Sequence, residues 1–193
     1  MATYKSIAYD QILANASAMV LLKTIEASSS ATITFSSGID STYKEYVFKF
    51  INTHPSSDPG IISFQATTDG TNYNVTITSS FFRGYHAEAD NEAAIAYAVN
   101  FDQAQGTAVQ NLDSGSGNAN DKASSGYLHL YNPADTTFVK HFTSTVMDTN
   151  DGDFNHNVFT GGYFNTTSAI TGIRFQLDSG NIDAVTFKLY GVN

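Results

Sequence analysis

The sequence contains no cysteine and no tryptophan among its 193 residues, and only three prolines. The absence of cysteine excludes a disulfide framework, a thiolate nucleophile and a metal site with cysteine ligands. The absence of tryptophan removes the largest ring from which a sugar-stacking platform is built. Long hydrophobic runs are missing as well, and the apolar stretch at residues 19–22 is far too short to span a bilayer.

Positive charge is also scarce. Nine lysines and arginines stand against 18 aspartates and glutamates, which gives a formal net charge of -9. A body this acidic repels nucleic acid and anionic membrane, because both need a basic patch, so we expect neither as a partner. The N-terminus has no long apolar run behind a basic flank, as a signal peptide would, and we expect synthesis and folding in a cytoplasm.

Aromatic rings and small polar residues are abundant. There are 14 phenylalanines and 11 tyrosines, and serine, threonine, asparagine and glycine dominate the remainder. Rings on strands with small polar residues between them are typical of an all-β protein. The length suits one sizeable core, so we expect a single β-sandwich domain over residues 18–193. Residues 1–17 are predicted to form an N-terminal arm that packs on its own domain or reaches a neighbour.

The clearest strand signals follow one another in the first half of the chain. Apolar side chains occupy both faces of residues 46–51, which predicts a central strand. The proline-containing segment 54–60 ends that strand, because proline removes a ladder donor. Alternation then resumes at 62–66 and at 73–77, with an Asp-Gly turn at 69–70 between them. This order predicts a β-meander of three consecutive strands.

Residues 92–99 fit two kinds of structure. Asp90 is a suitable N-cap for a short helix over the alanine-rich stretch that follows. Alternation of Ile95, Tyr97 and Val99 fits a strand equally well, and we favour the strand.

The second half of the chain is again predicted to be β-rich. Segments 113–126 and 148–157 are loops by composition, while 137–143 is predicted to be a strand with Phe138 and Phe142 on one face. About nine strands are expected in all. Their spacing predicts an antiparallel β-sandwich of jelly-roll type.

Several segments resemble virion structural proteins of tailed phages, above all those of marine phages, including cyanophages. The likeness covers most of the chain from about Thr34 onward. The segments that carry it are YKEYVFKF at 43–50, SFQATTDG at 63–70, SSGYLHLYNP at 124–133, VKHF at 139–142 and SGNIDAVTFKLYGV at 179–192.

The resemblance implies a β-rich, non-enzymatic component of the virion, with no catalytic residues and no cofactor. Its implied partners are other virion proteins, either the major capsid protein or tail proteins. Capsid, neck, tail tube and fibre all remain open as locations. The small size, the acidic charge and the lack of a catalytic motif favour a capsid-decorating (cement) protein that assembles as a homotrimer or another symmetric homo-oligomer. The alternative is a tail or fibre component that binds a host surface glycan.

A carbohydrate-active enzyme is the third class of function to consider. Glu88, Asp90 and Glu92 lie close in sequence, and paired carboxylates hydrolyse glycosides when a cleft separates them correctly. A solvated acidic edge is the commoner structure for such residues. No GxSxG elbow, P-loop or GxGxxG motif is present, and we expect no enzymatic activity.

One acidic segment is a candidate calcium site. Calcium prefers several oxygen ligands around a glycine turn, but this glycine comes one place too early for an EF-hand and no closing glutamate follows. We therefore favour a solvated acidic turn and expect no metal, and the five histidines show no metal-binding spacing. The candidate ligands are Asp148, Asn150, Asp151 and Asp153.

Two clusters of rings near glycines are candidates for contact with a partner or a ligand. Such rings fill a core, anchor a subunit contact or stack on sugars, and most rings in so aromatic a domain must fill the core. Between the two functional alternatives we favour subunit contact. The candidates are Phe81, Phe82, Tyr85, His86, Phe154, Phe159, Tyr163 and Phe164.

Overall fold

The computed structural model describes residues 18–193, and the predicted arm at 1–17 lies outside the described residues. Thirteen β-strands and no helix make up the regular structure of this range, so no helix there could span a membrane. The strands are β1 (Met19–Ser30), β2 (Thr32–Phe35), β3 (Glu45–Pro55), β4 (Ile62–Thr67), β5 (Ile77–Ala87), β6 (Ala93–Tyr97), β7 (Ala104–Gly106), β8 (Gln110–Asn111), β9 (Ser124–Tyr131), β10 (Lys140–Thr149), β11 (Phe154–Phe164), β12 (Gly172–Leu177) and β13 (Ile182–Val192).

The strands form two antiparallel sheets of unequal size. The large sheet has the order β1-β13-β3-β9-β10-β11-β5-β6, and β7 also pairs with β5. The small sheet has the order β2-β12-β4-β8. The prediction of an all-β protein with antiparallel pairing in a two-sheet sandwich is confirmed. The pairing order does not by itself establish jelly-roll topology, which stays a prediction.

Aromatic rings from both sheets form the core between them. Phe175 of the small sheet contacts Phe48 and Phe187 of the large sheet, with ring centroids 5.5 and 4.6 Å apart. Phe64 of β4 meets Phe142 of β10 edge-to-face at 5.1 Å. All five rings are fully buried, and each stabilises the fold by roughly 1.5–3 kcal/mol through burial alone. The ring alternation in the sequence therefore reflects strands with one face against this core.

The predicted β-meander is wrong. β3 is central in the large sheet, between β13 and β9, as its two apolar faces indicated. β4 crosses to the small sheet, and β5 returns to the large sheet four strands away from β3. The predicted strand at 73–77 is also wrong over most of its length, because β5 begins only at Ile77. Alternation identifies the buried face of a strand, but it carries no information about which strand lies beside it.

Two further boundaries differ from prediction in the second half. β10 begins at Lys140, and Phe138 precedes it with its ring 69% exposed, so Phe138 and Phe142 do not share a strand face. The reason is local: the Asp135 carboxylate accepts hydrogen bonds from the backbone N–H groups of residues 137 and 138. The predicted loop at 148–157 shrinks to 150–153, because β10 and β11 form a hairpin. The preferred strand at 92–99 is confirmed by β6.

Candidate functional site

Three rings lie in one row on the outer face of the large sheet, which the small sheet does not cover. Phe82 of β5 pairs with Phe159 of β11 on one side and with Tyr97 of β6 on the other. The Phe82 and Phe159 rings are stacked, with centroids 5.1 Å apart and an interplanar angle of 14°. They are 43% and 37% exposed. Three neighbouring strands therefore present their rings to solvent side by side.

Further apolar side chains lie at the end of this row and in the next row on the same face of the sheet. Tyr127 continues the row through Thr145 on β10, and Ile95 and Met147 lie in the next row, flanking Gly84 and Asn157. Ile95 is 85% exposed and Met147 is 56% exposed. We call this surface the aromatic face; it consists of Tyr97, Phe82, Phe159, Tyr127, Ile95 and Met147.

A shallow groove crosses the aromatic face at Gly84. A Cβ atom at this position would meet no other atom within 4 Å, so the missing side chain leaves open space between Ile95 and Asn157. The groove has a volume of about 470 Å³, and His86 and Asn155 line its far end. The side-chain oxygen Oδ1 of Asn157 is buried there and accepts no hydrogen bond from the described residues.

The other face of β5 and β11 carries a smaller, more polar cavity of about 170 Å³. The ring of Tyr85 meets those of Phe154 and His156 edge-on, with centroids 5.9 Å away in each case. The Tyr85 hydroxyl donates a hydrogen bond to Glu92 Oε1 at 3.2 Å. We call this cavity the polar cleft; it is lined by Arg83, Tyr85, Glu92, Asn150, Phe154 and His156.

A buried carboxylate fixes the imidazole of His156 at the base of the polar cleft. His156 Nδ1 lies 2.7 Å from Asp148 Oδ1, and both side chains are almost completely buried. Asp148 Oδ2 accepts a second hydrogen bond from the backbone N–H of Ser114 at 3.0 Å. Tyr85, His156 and Asp148 are directly opposite one another on three adjacent strands. The strand register therefore sets this row, since each backbone pairing places the next side chain.

A second buried carboxylate, Asp113, lies behind this pair. Its Oδ1 accepts hydrogen bonds from the backbone N–H groups of Ile62 and Gly115 at 3.0 and 3.2 Å, and Oδ2 accepts one from the Ser116 hydroxyl. Burial raises the pKa of Asp113 well above its usual range, and the nearby charge of Asp148 raises it further. These contacts fasten the long segment after β8 to the edge of the small sheet.

The four candidate calcium ligands do not converge on one point. Asp148 is turned into the sheet interior toward His156, whereas the carbonyl oxygens of Asn150 and Asp151 accept hydrogen bonds from Lys122 Nζ at 2.7 and 3.2 Å. The same ammonium group also pairs with the Asp153 carboxylate. A lysine thus supplies the positive charge at this turn. Among residues 18–193, no three histidine, cysteine, aspartate or glutamate side chains are grouped so as to hold a metal ion.

The eight predicted contact residues separate into different environments. Phe81 and Phe164 are fully buried and pack on Phe101 and Phe142, so they belong to the interior. Phe82 and Phe159 form the stacked pair of the aromatic face. The remaining four line cavities or lie beside other rings: His86 lines the groove, Tyr85 and Phe154 line the polar cleft, and Tyr163 lies beside His141.

Sequence reasoning missed the most polar part of this region. Arg83 lies more than 60 residues before Asp148 and His156 in sequence, and only the pairing of β5, β10 and β11 brings the three together. In the sequence, Glu92 belongs to an acidic triplet with Glu88 and Asp90. In the structure Glu92 bonds Tyr85 while Asp90 bonds His86 at 3.1 Å, so the acids serve different faces of the sheet.

No known protein family matches this sequence, and no curated protein matches it. A solved structure of a structural-genomics protein of unknown function from Bacteroides ovatus is similar over 54% of this chain and 45% of its own, with 6% sequence identity. The TM-score of that match is 0.29, which is too low to support an argument about fold or function.

Proposed function

We propose that this chain is a non-enzymatic structural protein of a tailed-phage particle, and that it decorates the capsid by binding through its aromatic face. The observation that carries the proposal is the row of exposed rings at Tyr97, Phe82 and Phe159. The resemblance of the sequence to virion structural proteins supports the same assignment. In this role the chain binds and performs no chemistry.

Exposed rings on a rigid sheet are suited to subunit contact. Contiguous apolar surface on a soluble protein marks interaction sites, and aromatic residues and methionine are enriched where protein surfaces meet. The rings stand on strands hydrogen-bonded to their neighbours, so little conformational freedom is lost when a partner covers them. The net charge of -9 keeps the remaining surface soluble at the high local concentration of an assembling particle.

The partner that fits this role best is the major capsid protein, with a homotrimer or another symmetric homo-oligomer of this chain as the bound form. A capsid offers the same surface many times over. A rigid domain with one apolar face can therefore bind at equivalent positions around each symmetry axis. The location that follows for this chain is the virion.

The binding test uses particles that lack this chain and purified protein added back to them. Phe82→Ser combined with Phe159→Ser should abolish cosedimentation with the particles. Phe138→Ser is the control, because it removes an even more exposed ring from a turn outside the aromatic face. Equal cosedimentation of the double variant and the control would overturn the proposed use of this face.

The groove at Gly84 favours a second candidate function, a tail or fibre component that binds a host surface glycan. Stacked rings beside a depression that contains a buried, unbonded amide oxygen resemble the elements that sugars need, an apolar platform with hydrogen-bonding groups at its edge. Gly84→Leu fills the groove without touching the core. A glycan array on which the parent chain gives a signal and this variant gives none would support the candidate, and a blank array for the parent would count against it.

A further inference from the structure

We propose that the polar cleft binds a single acidic sugar residue, of the hexuronic acid class, through its carboxylate. This site lies on the opposite face of β5 and β11 from the aromatic face, so the inference goes beyond the proposed capsid contact. Binding of an acidic sugar in the polar cleft requires no particular location of the chain in the particle.

The first step of the argument concerns the charge of Arg83. Its guanidinium lies over the ring of Tyr85, with 5.5 Å from Cζ to the ring centroid, yet it forms no ion pair or hydrogen bond with any described residue. The Nε atom of Arg83 is buried. A buried donor without a partner is costly, and a carboxylate meets the planar guanidinium fork with two parallel hydrogen bonds. An anionic ligand is therefore the group that this cleft lacks.

The second step concerns the other polar groups. Asn150 Oδ1 already accepts a hydrogen bond from the backbone N–H of Phe154 at 2.9 Å, which leaves the Asn150 amide nitrogen free to donate. Glu92 accepts a hydrogen bond from Tyr85 and retains further acceptor capacity for a hydroxyl group. The imidazole of His156 is oriented by Asp148 and makes no other side-chain hydrogen bond with the described residues. The cleft thus offers donors and acceptors for hydroxyl groups beside one site for a carboxylate.

The third step concerns shape and size. The rings of Tyr85 and Phe154 meet at 67° and form an apolar corner on which the C–H face of a pyranose ring can pack. A volume of about 170 Å³ is below the roughly 300–1,000 Å³ of sites for larger ligands, so it suits one sugar residue and excludes an oligosaccharide. The carboxylate of Glu92 repels a second negative charge, which favours a monoanion over a sulfate-rich or phosphorylated sugar.

The test is a titration of the full chain with sodium glucuronate, with glucose as the neutral match, followed by two-dimensional NMR of backbone and arginine Nε–H groups. We expect glucuronate to shift the signals of Arg83, Tyr85 and His156 and glucose to leave them in place. Arg83→Gln should weaken glucuronate binding by about tenfold or more, the scale of a charged bidentate contact.

Arg174→Gln is the matched control, because Arg174 also lies over a tyrosine, Tyr73, with a buried Nε atom but outside the cleft. It should bind glucuronate as the parent chain does. Equal shifts with glucose and glucuronate, or no shift with either, would overturn the proposal without any variant. Binding of an acidic peptide at these residues in place of glucuronate would overturn it as well. Loss of particle binding in the add-back experiment would leave this site unaffected.

Discussion

Phe82 of β5 and Phe159 of β11 are directly opposite each other on hydrogen-bonded strands, and their rings stack 5.1 Å apart on the exposed side of the sheet. The next cross-strand pair consists of Phe81 on β5 and Thr160 on β11, and both of these side chains point into the interior. Adjacent positions in both strands therefore serve opposite purposes. One pair holds the fold together, and the other is displayed to solvent.

This division predicts different outcomes for two neighbouring phenylalanines. Phe159→Ala should lower the free energy of unfolding by about 1 kcal/mol, the scale of one exposed aromatic pair. Phe81→Ala should lower it by roughly 3–5 kcal/mol, because that ring is fully buried against Phe101. Urea unfolding followed by tyrosine fluorescence measures both values.

In the add-back assay, Phe159→Ala should weaken particle binding by at least about 2 kcal/mol, as expected for a central aromatic contact. A variant that unfolds normally and binds normally would show that the stacked pair is not a contact site.

The buried carboxylate of Asp113 predicts that its replacement by asparagine stabilises the chain in a pH-dependent way. Its pKa in the folded state lies above the unfolded value near 3.8, so the folded chain takes up this proton more readily. Stability therefore falls as the pH rises from the ordinary carboxyl range through the raised pKa, and the full penalty is present above it. Asp113→Asn removes the penalty and keeps an oxygen for the N–H groups of Ile62 and Gly115.

We expect Asp113→Asn to stabilise the chain at pH 7 by on the order of 1 kcal/mol and to give no gain at a pH below the ordinary carboxyl pKa. Urea unfolding of both chains at the two pH values measures the difference. A variant less stable than the parent at neutral pH would show that the carboxylate is favourable as an ion.

Close strand contact at Gly126 predicts a strong effect of one methyl group. A Cβ there would lie 2.4 Å from the backbone oxygen of Thr145 and 2.8 Å from the Cα of Val146, atoms that cannot move without displacing β10. Gly126→Ala should cost about 1–3 kcal/mol. Gly84→Ala is the control on another strand of the same sheet, because its added methyl group meets no atom within 4 Å. Thermal unfolding of the two variants measures the difference in their midpoints. Similar midpoints would contradict the register of β9 on β10.

The position of Lys122 predicts that calcium has no effect on the turn at 150–153. The lysine ammonium donates to the carbonyl oxygens of Asn150 and Asp151, and its hydrogen bond to Asp153 raises the pKa of Lys122, so it stays charged through neutral pH. Millimolar calcium should leave the thermal midpoint of the parent chain unchanged. A calcium-dependent rise in the thermal midpoint, reversed by a chelator, would contradict this prediction and support a calcium site at residues 148–153.

The elements that could be predicted from the sequence are those whose signal is local. β4, β12 and β13 each alternate apolar and polar residues because one face packs on the ring core, and β3 is apolar on both faces because it is central in its sheet. β6 alternates as well, but its apolar side chains Ile95 and Tyr97 lie on the exposed face. Strand partners could not be predicted, since alternation is satisfied by any neighbour. The crossing of β4 into the small sheet is therefore invisible until the core is assembled.

The candidate sites show the same limit. The rings at 82 and 159 could be identified as contact candidates, but their stacking depends on the register of β5 against β11. The polar cleft is harder still, because His156 and Asp148 lie in a segment whose polar composition indicates a loop. Their burial arises from the hairpin that turns both side chains to the interior.

The central claim is that this chain is a capsid-decorating virion protein, and cryo-electron microscopy of the intact phage particle tests it most directly. The account predicts density for a two-sheet sandwich at symmetric positions on the capsid lattice, with Phe82 and Phe159 turned toward the shell. Density at the tail tip or on fibres would contradict the decorating role and favour the glycan-binding alternative. Absence of the chain from purified particles, in both the map and their protein content, would contradict a virion role altogether.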